Sequence, residues 1–181
     1  MPAVALGLRQ GDGSGGLVRM NPTPAPGARA LLAAWLICGV LDINAAFVSA
    51  YLVADRTPMW VLRAVAGALL GKASFDAGPW VGALGLGLHF FVAFNAALVF
   101  WLLSRRFPAL LRSALVTGPV YGAAVYLFMN GITIPFCSWF RSLYLHTPAV
   151  WTHAKFGWPQ FVIHLTCVGL AIALSVKRWS R

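Results

Sequence analysis

Hydrophobic residues occur along this chain in four long runs, separated by short polar segments that hold nearly all of the charge. The runs cover residues 31–53, 80–103, 113–134 and 158–176. Each is close to the roughly 20 residues that a helix needs to cross a bilayer. Because the hydrocarbon has no water to satisfy backbone groups, such runs must be helical; a barrel would instead show alternating strands of roughly 10 residues. The pattern predicts an all-α integral membrane four-helix bundle.

A shorter apolar segment, residues 59–71, lies between the first two runs. It is too short to cross a bilayer. Two placements fit it: a helix lying flat in the headgroup region with Arg63 and Lys72 in water, or a re-entrant helix inside the membrane. Residues 135–157 follow the third run and are expected to form a loop whose aromatic residues make an interfacial belt, namely Trp139, Phe140, Tyr144, Trp151 and Phe156.

Residues 1–28 contain two patches rich in glycine and proline, at 11–16 and 21–28. This composition predicts a disordered tail in front of a transmembrane domain of residues 29–181. The apolar stretch at residues 3–8 is shorter than the hydrophobic region of a signal peptide. Met20 is a second candidate for the translation start.

The net charge of +10 comes from 14 basic residues against four aspartates, with no glutamate. In a soluble protein this balance would suggest nucleic acid as a partner. Here the basic residues lie at the ends of the spans, where they contact anionic headgroups and set orientation. The sequence therefore predicts the lipid bilayer, and not nucleic acid, as the partner of these charges.

Polar residues inside the spans are the candidates for a functional site. Asp42 lies near the middle of the first run, where an unpaired charge costs about 3 kcal/mol. At helical rise, Asp42, His89 and His164 lie roughly 17, 13 and 9 Å below the outer surface, and Asn130 roughly 6 Å below it. We therefore predict one intramembrane polar cluster, which consists of Asp42, His89, Asn130 and His164. In it Asp42 either pairs with a histidine or stays protonated.

Three functions are compatible with that cluster. It can fix the register of the helices, it can form a proton or cation pathway, or His89 and His164 can ligate one b-type haem between two helices. The sequence holds no catalytic triad, phosphate loop or zinc spacing, so we expect no enzyme activity, no metal site and no cofactor. The favoured interpretation is a structural, assembly or partner-binding membrane component.

Small residues recur at helical spacing in the spans. In lipid, glycine allows two helices to approach closely, so we expect helix packing at two pairs of glycines, Gly82 with Gly85 and Gly118 with Gly122. Similar stripes on several faces would also permit a homo-oligomer or a membrane-protein partner.

Several short segments resemble a family of small bacterial four-helix membrane proteins, distantly similar to the YagU-like inner-membrane proteins. The similar residues lie between 31 and 178 and include Leu41-Asp42, residues 83–90, Met129-Asn130 and Ile163-His164. The chain departs from the family at residues 76–79, where the family often has two glycines. The resemblance implies the four-helix architecture and a bacterial inner membrane, and it implies no activity.

Basic residues predict the orientation of the chain. Nine lie on the face that carries both termini and five on the opposite face, which has Arg56, Arg63, Lys72, Arg141 and Lys155. By the positive-inside rule both termini are cytoplasmic. A fluorescent reporter fused after Arg181 should be bright and an alkaline phosphatase fusion there inactive, whereas an active phosphatase would reverse the orientation.

Overall fold

The computed structural model describes residues 27–146 and 156–180. Helix accounts for 89% of these residues, and no strand occurs among them. Four helical spans are long and apolar enough to cross a membrane, with a short apolar helix between the first two. The predicted all-α membrane fold is therefore confirmed. The predicted tail lies outside the described residues except for its last two, and Ala28 is the first residue of the first helix.

The first span is α1, Ala28–Ala54, and it is followed by the short helices α2, Pro58–Leu70, and α3, Ala73–Asp76. The second span is α4, Trp80–Arg106, which leads through α5, Ala109–Arg112, into the third. The third span, Ala114–Leu145, consists of α6, Ala114–Phe128, a π-helical turn, Met129–Thr133, and α7, Ile134–Leu145. The fourth, Trp158–Trp179, consists of α8, Trp158–Ile163, a π-helical segment, His164–Leu170, and α9, Ala171–Trp179.

The fourth span is the central helix of the bundle. In its most apolar window 33% of the residues are buried, against 17% to 22% in the other three spans. It packs against α6 on one side and against α1 on the other, and α1 in turn packs against α4. The order across the bundle is therefore second, first, fourth and third span.

Glycines bring the third and fourth spans into backbone contact. A Cβ atom on Gly118 would lie 2.8 Å from Leu170 Cα. A Cβ on Gly122 would overlap the His164 carbonyl oxygen, and one on Gly169 would overlap the Gly118 carbonyl oxygen. Only hydrogen fits at these positions, which is the reason that small residues line helix contacts in membranes.

The other predicted pair of glycines packs against the short helix α2. A Cβ on Gly82 would lie 2.9 Å from Met59 Sδ, and one on Gly85 would overlap the Leu62 carbonyl oxygen. Helix α2 begins where the Thr57 hydroxyl accepts a hydrogen bond from Trp60 N–H at 3.3 Å. It lies against α4 and also against α7 at the far end of the third span.

The prediction of a loop from residue 135 was wrong, because helix α7 continues the third span to Leu145. Proline has no N–H, and its ring clashes with the carbonyl four residues earlier in a regular helix. The π-helical turn Met129–Thr133 directly precedes Ile134-Pro135 and changes the hydrogen-bond spacing there. The helix therefore passes Pro135 without ending. Residues 147–155, with Trp151, lie outside the described residues.

Basic side chains of α7 and α2 bind the ends of neighbouring helices. Arg141 of α7 donates hydrogen bonds to the carbonyls of Gly67 and Ala68, in the last turn of α2, at 2.8 and 3.2 Å. Arg63 of α2 donates in the same way to two carbonyls at the end of α3, at 2.8 and 3.1 Å. A cation at a helix C-terminus satisfies free carbonyls and opposes the helix dipole. These contacts hold α2, α3 and α7 together in one layer, which we call the α2 end of the bundle.

The second and third spans are in contact at Tyr121, and they diverge from there towards Phe91 and Thr133. The Tyr121 hydroxyl donates to the Ala96 carbonyl at 2.6 Å, and the ring of Tyr121 lies 5.0 Å from that of Phe100. Beyond this contact the two helices leave a groove of about 540 Å³. The second and third spans are thus joined at Tyr121 and separated along the groove.

Replacing Gly122 by alanine should destabilise the bundle by about 1–3 kcal/mol, because the added methyl group overpacks the contact with His164. Gly87→Ala is the matched control, since nothing lies within 4 Å of its Cβ position. That change should be neutral or stabilising by up to about 1 kcal/mol through helix propensity. Thermal unfolding in detergent measures both, and equal effects of the two changes would contradict the backbone contact.

Candidate functional site: an Asp–His pair between the first two spans

The first two spans meet at a pair of ionisable side chains. Asp42 of α1 and His89 of α4 approach to 3.8 Å between Oδ2 and Nδ1. The Asp42 side chain is 19% exposed and the His89 side chain 10%, so both are largely buried. The distance is within ion-pair range and too long for a hydrogen bond. The two residues therefore form a buried pair that joins α1 to α4.

The second nitrogen of His89 determines where its proton lies. Nε2 is 2.9 Å from the carbonyl oxygen of Gly39, one turn before Asp42 on α1. A backbone carbonyl can only accept, so Nε2 carries a hydrogen and donates it. Nδ1, which faces Asp42, then holds a lone pair in the neutral imidazole and a second proton in the imidazolium.

This arrangement makes Asp42 and His89 a site for a single proton. With Nε2–H bound to Gly39, the pair is neutral overall when one further proton resides on either the Asp42 carboxyl or His89 Nδ1. Removing that proton would leave a carboxylate facing a lone pair. Both repulsion and the cost of a net charge in a membrane interior oppose this state. The neutral form of the pair, with its proton on one of the two residues, avoids both costs.

Two hydrogen bonds that run in opposite directions fix α1 against α4. His89 of α4 donates to Gly39 of α1, and the Trp35 indole of α1 donates to the Phe90 carbonyl of α4 at 2.9 Å. The Trp35 ring also meets the Phe90 and Phe94 rings edge to face. A slip of either helix by one residue would break both bonds, so these contacts specify the register of the two spans.

His164 contributes from the central span. It begins the π-helical segment, and its Nδ1 donates to the Gln160 carbonyl at 2.8 Å. Its ring packs edge to face against that of Tyr126 in the third span. When protonated, His164 and His89 both attract the Asp42 carboxylate. The site therefore combines one acid from α1 with one histidine from each of two neighbouring spans.

Asn130 is placed differently from the other three predicted residues. It lies in the π-helical turn of the third span, and its Nδ2 donates to the Tyr126 carbonyl of the same span at 2.8 Å. The Tyr126 hydroxyl in turn accepts from Gly157 N–H at 2.9 Å. The structure thus brings Asp42, His89 and His164 to one site, while the Asn130 amide binds its own helix.

The contacts of the imidazole nitrogens argue against haem ligation by His89 and His164. A haem iron needs a free ring nitrogen on each of two facing histidines. In His89 one nitrogen is bound to Gly39 and the other faces Asp42, and in His164 Nδ1 is bound to Gln160. His89 would have to leave α1 to bind iron, so the pair does not fit haem. In the part of the chain that the structure describes, no three His, Cys, Asp or Glu side chains are arranged so that they could hold one metal ion, and Asp42, His89 and His164 are no exception.

Two residues of the site were not predicted from the sequence. In the sequence Trp35 is one more apolar residue of the first run. Its neighbours do not indicate that its indole donates a hydrogen bond to α4. Tyr126 is 3% exposed and contacts His164, yet it too lies within an apolar run. A signal was available, because Tyr and Trp inside a span usually need a partner for their polar atom.

Comparison with family models, with curated proteins and with solved structures finds no match to this chain.

Asp42→Ala and His89→Ala should be non-additive, because each removes the partner of the other. We expect a coupling free energy of about 0.5–3 kcal/mol in a double-mutant cycle measured by thermal unfolding in detergent. Asp42→Ala combined with Asn130→Ala is the control cycle and should be additive, since the Asn130 amide binds within its own span. Additivity in both cycles would remove the pair as an interaction.

Proposed function

We propose that this chain is a non-catalytic structural, assembly or partner-binding component of a bacterial inner membrane, with both termini in the cytoplasm. The resemblance to small bacterial four-helix membrane proteins supports the location. The excess of basic residues on the face that carries the termini supports the orientation. No cofactor and no nucleic acid takes part in this function.

One observation carries this proposal: the polar side chains of the site bind helix backbones, and those of His89 and Trp35 join α1 to α4. His89 binds the α1 backbone, Trp35 binds the α4 backbone, and His164 binds the backbone of its own span. Each bond withdraws a polar atom from any pathway that ions or protons would follow. A side-chain network of this kind sets helix register and gives the bundle one defined packing.

Asn44 supports a partner within the membrane, either a second copy or another protein. It lies near the middle of α1 and is exposed, at the edge of a second groove between α1 and α8. One amide hydrogen is bound to the Val40 carbonyl at 2.8 Å. The other amide hydrogen and the carbonyl oxygen have no hydrogen-bond partner among the described residues, and lipid tails offer none. An amide on a neighbouring helix would satisfy both groups.

A proton-linked function is the second candidate, and the approach of the largely buried Asp42 and His89 side chains to 3.8 Å is the observation that favours it. A site that exchanges one proton, next to a further base in His164, has the parts of a short relay. In that case the chain would be a small proton- or cation-linked transporter, and Asp42 would exchange its proton with the outer side.

Liposomes that contain the purified protein and a trapped pH-sensitive dye separate the two candidates. Under the structural proposal, an imposed pH difference should decay at the background rate for the wild type and for Asp42→Asn alike. Asparagine keeps the size of the side chain and removes its exchangeable acid. Faster decay for the wild type, abolished by Asp42→Asn, would reject the structural proposal in favour of proton transport.

A further variant, Asn130→Asp, controls for unspecific leakage in the same liposome assay. Asn130→Asp introduces an acid at a residue whose amide binds within its own span, so it tests whether any intramembrane carboxyl produces leakage. A leak caused by this change alone would be unspecific, and would count for neither candidate. Circular dichroism confirms that each variant keeps its helical content.

A further inference from the structure

The groove between α4 and α6 is a long apolar surface that no other part of the described chain covers. Its walls include Phe91, Val99, Val125 and Phe128, and its volume is about 540 Å³. Asn95 also lines it, but its Nδ2 donates to the Phe91 carbonyl of its own helix at 2.7 Å. The hydrogen bond between Tyr121 and Ala96 lies at the end of the groove that is nearer to Arg106. The groove has a volume typical of small-molecule sites, which span about 300–1,000 Å³.

On the side of the Tyr121 contact that faces away from the groove, the same two spans reach the most basic part of the molecule. Arg105 and Arg106 end α4, Arg112 ends α5, and Lys177 and Arg178 lie in the last turn of α9. Lys177 Nζ donates to the Arg112 carbonyl at 3.3 Å, so these helix ends lie side by side. We call these five residues the basic end.

The basic end has no carboxylate beside it in the described structure. Of the described aspartates, Asp42 lies in the middle of α1, and Asp55 and Asp76 lie at the α2 end. Arg105 and Arg106 instead pack over the rings of Trp101 and Phe107, at 4.7 and 5.3 Å. Their positive charge therefore remains uncompensated within the described chain.

We propose that this groove binds an anionic phospholipid, with the phosphate at the basic end and an acyl chain that passes over Tyr121 and lies between α4 and α6. Arg106 is two helical turns beyond Val99 and so continues the groove face of α4, about 10 Å further along the helix. Phosphate oxygens suit the guanidinium groups of Arg106 and Arg112, which can bind them through paired hydrogen bonds. One molecule with an apolar tail and an anionic head matches both surfaces at once.

Charge favours this lipid over a second copy of the chain. A two-fold axis along the membrane normal would place the basic end of a second copy at the same depth, opposite the first. Like charges brought together in this way cost several kcal/mol. An anionic lipid is instead attracted to the basic end, because each basic residue near it adds a favourable term to the binding free energy.

Native mass spectrometry of the detergent-purified protein tests the proposal, with phosphatidylglycerol or phosphatidylcholine of identical acyl chains added. We expect selective retention of phosphatidylglycerol. Arg106→Gln with Arg112→Gln should weaken that binding about thirtyfold, at about 1 kcal/mol for each arginine. The control double variant, Arg56→Gln with Lys72→Gln at the α2 end, should leave it unchanged. Equal retention of both lipids, or equal loss in both double variants, would overturn the proposal.

A second pair of variants tests the groove itself. Ala124→Phe fills the groove, because Ala124 lines it and is exposed, and it should abolish selective retention while thermal unfolding stays cooperative. Ala83→Phe adds the same ring at an exposed alanine outside the groove and should have no effect. Unchanged retention in Ala124→Phe would mean that only the headgroup binds and would reject the groove site. A dimer mass that Ala124→Phe abolishes would identify a second copy as the occupant and would also reject it.

Discussion

The backbone contact between the third and fourth spans is the constraint on which the rest of the bundle depends. Gly118, Gly122 and Gly169 leave no room for a side chain, so the two helices approach to the limit that their backbones allow. In lipid no hydrophobic effect separates protein from solvent, and close packing is the main attraction between helices. The fourth span can therefore be central, and α1 packs against its other side. That position brings His164 towards Asp42.

The polar side chains of the bundle bind backbone carbonyls more often than each other. Arg63, Arg141, Trp35 and His89 all donate to carbonyls of a neighbouring helix. With water excluded, such bonds have no competitor, so a few of them define the position of a helix. Arg63 and Arg141 also show that a basic residue near a span end can be part of the fold. Both belong to the group of five that orientation rules assign to headgroups.

Most of the fold could be predicted from run length alone, because a membrane accepts few structures. Burial cost also identified Asp42 and His89, and depth along a helix placed them at similar heights. Depth does not give the direction of a side chain around its helix, so it could not predict that the Asn130 amide binds the Tyr126 carbonyl of its own span. The two π-helical segments and helix α7 could not be predicted, because they depend on contacts between distant parts of the chain. Pro135 reads locally as the end of a helix, and only the preceding turn allows it to continue.

The central position of the fourth span has a consequence for biogenesis. Chains are made from the N-terminus, so the span against which both α1 and α6 pack is made after the other three spans. The first two spans can pair as soon as both are inserted, through Asp42 and His89. The third span must then remain in the membrane with its glycine face against lipid, held by Tyr121 and by α7 against α2. A chain that stops before Trp158 would therefore hold three inserted spans that are not yet assembled, which makes the fourth span the point where quality control can distinguish an assembled bundle from an unassembled one.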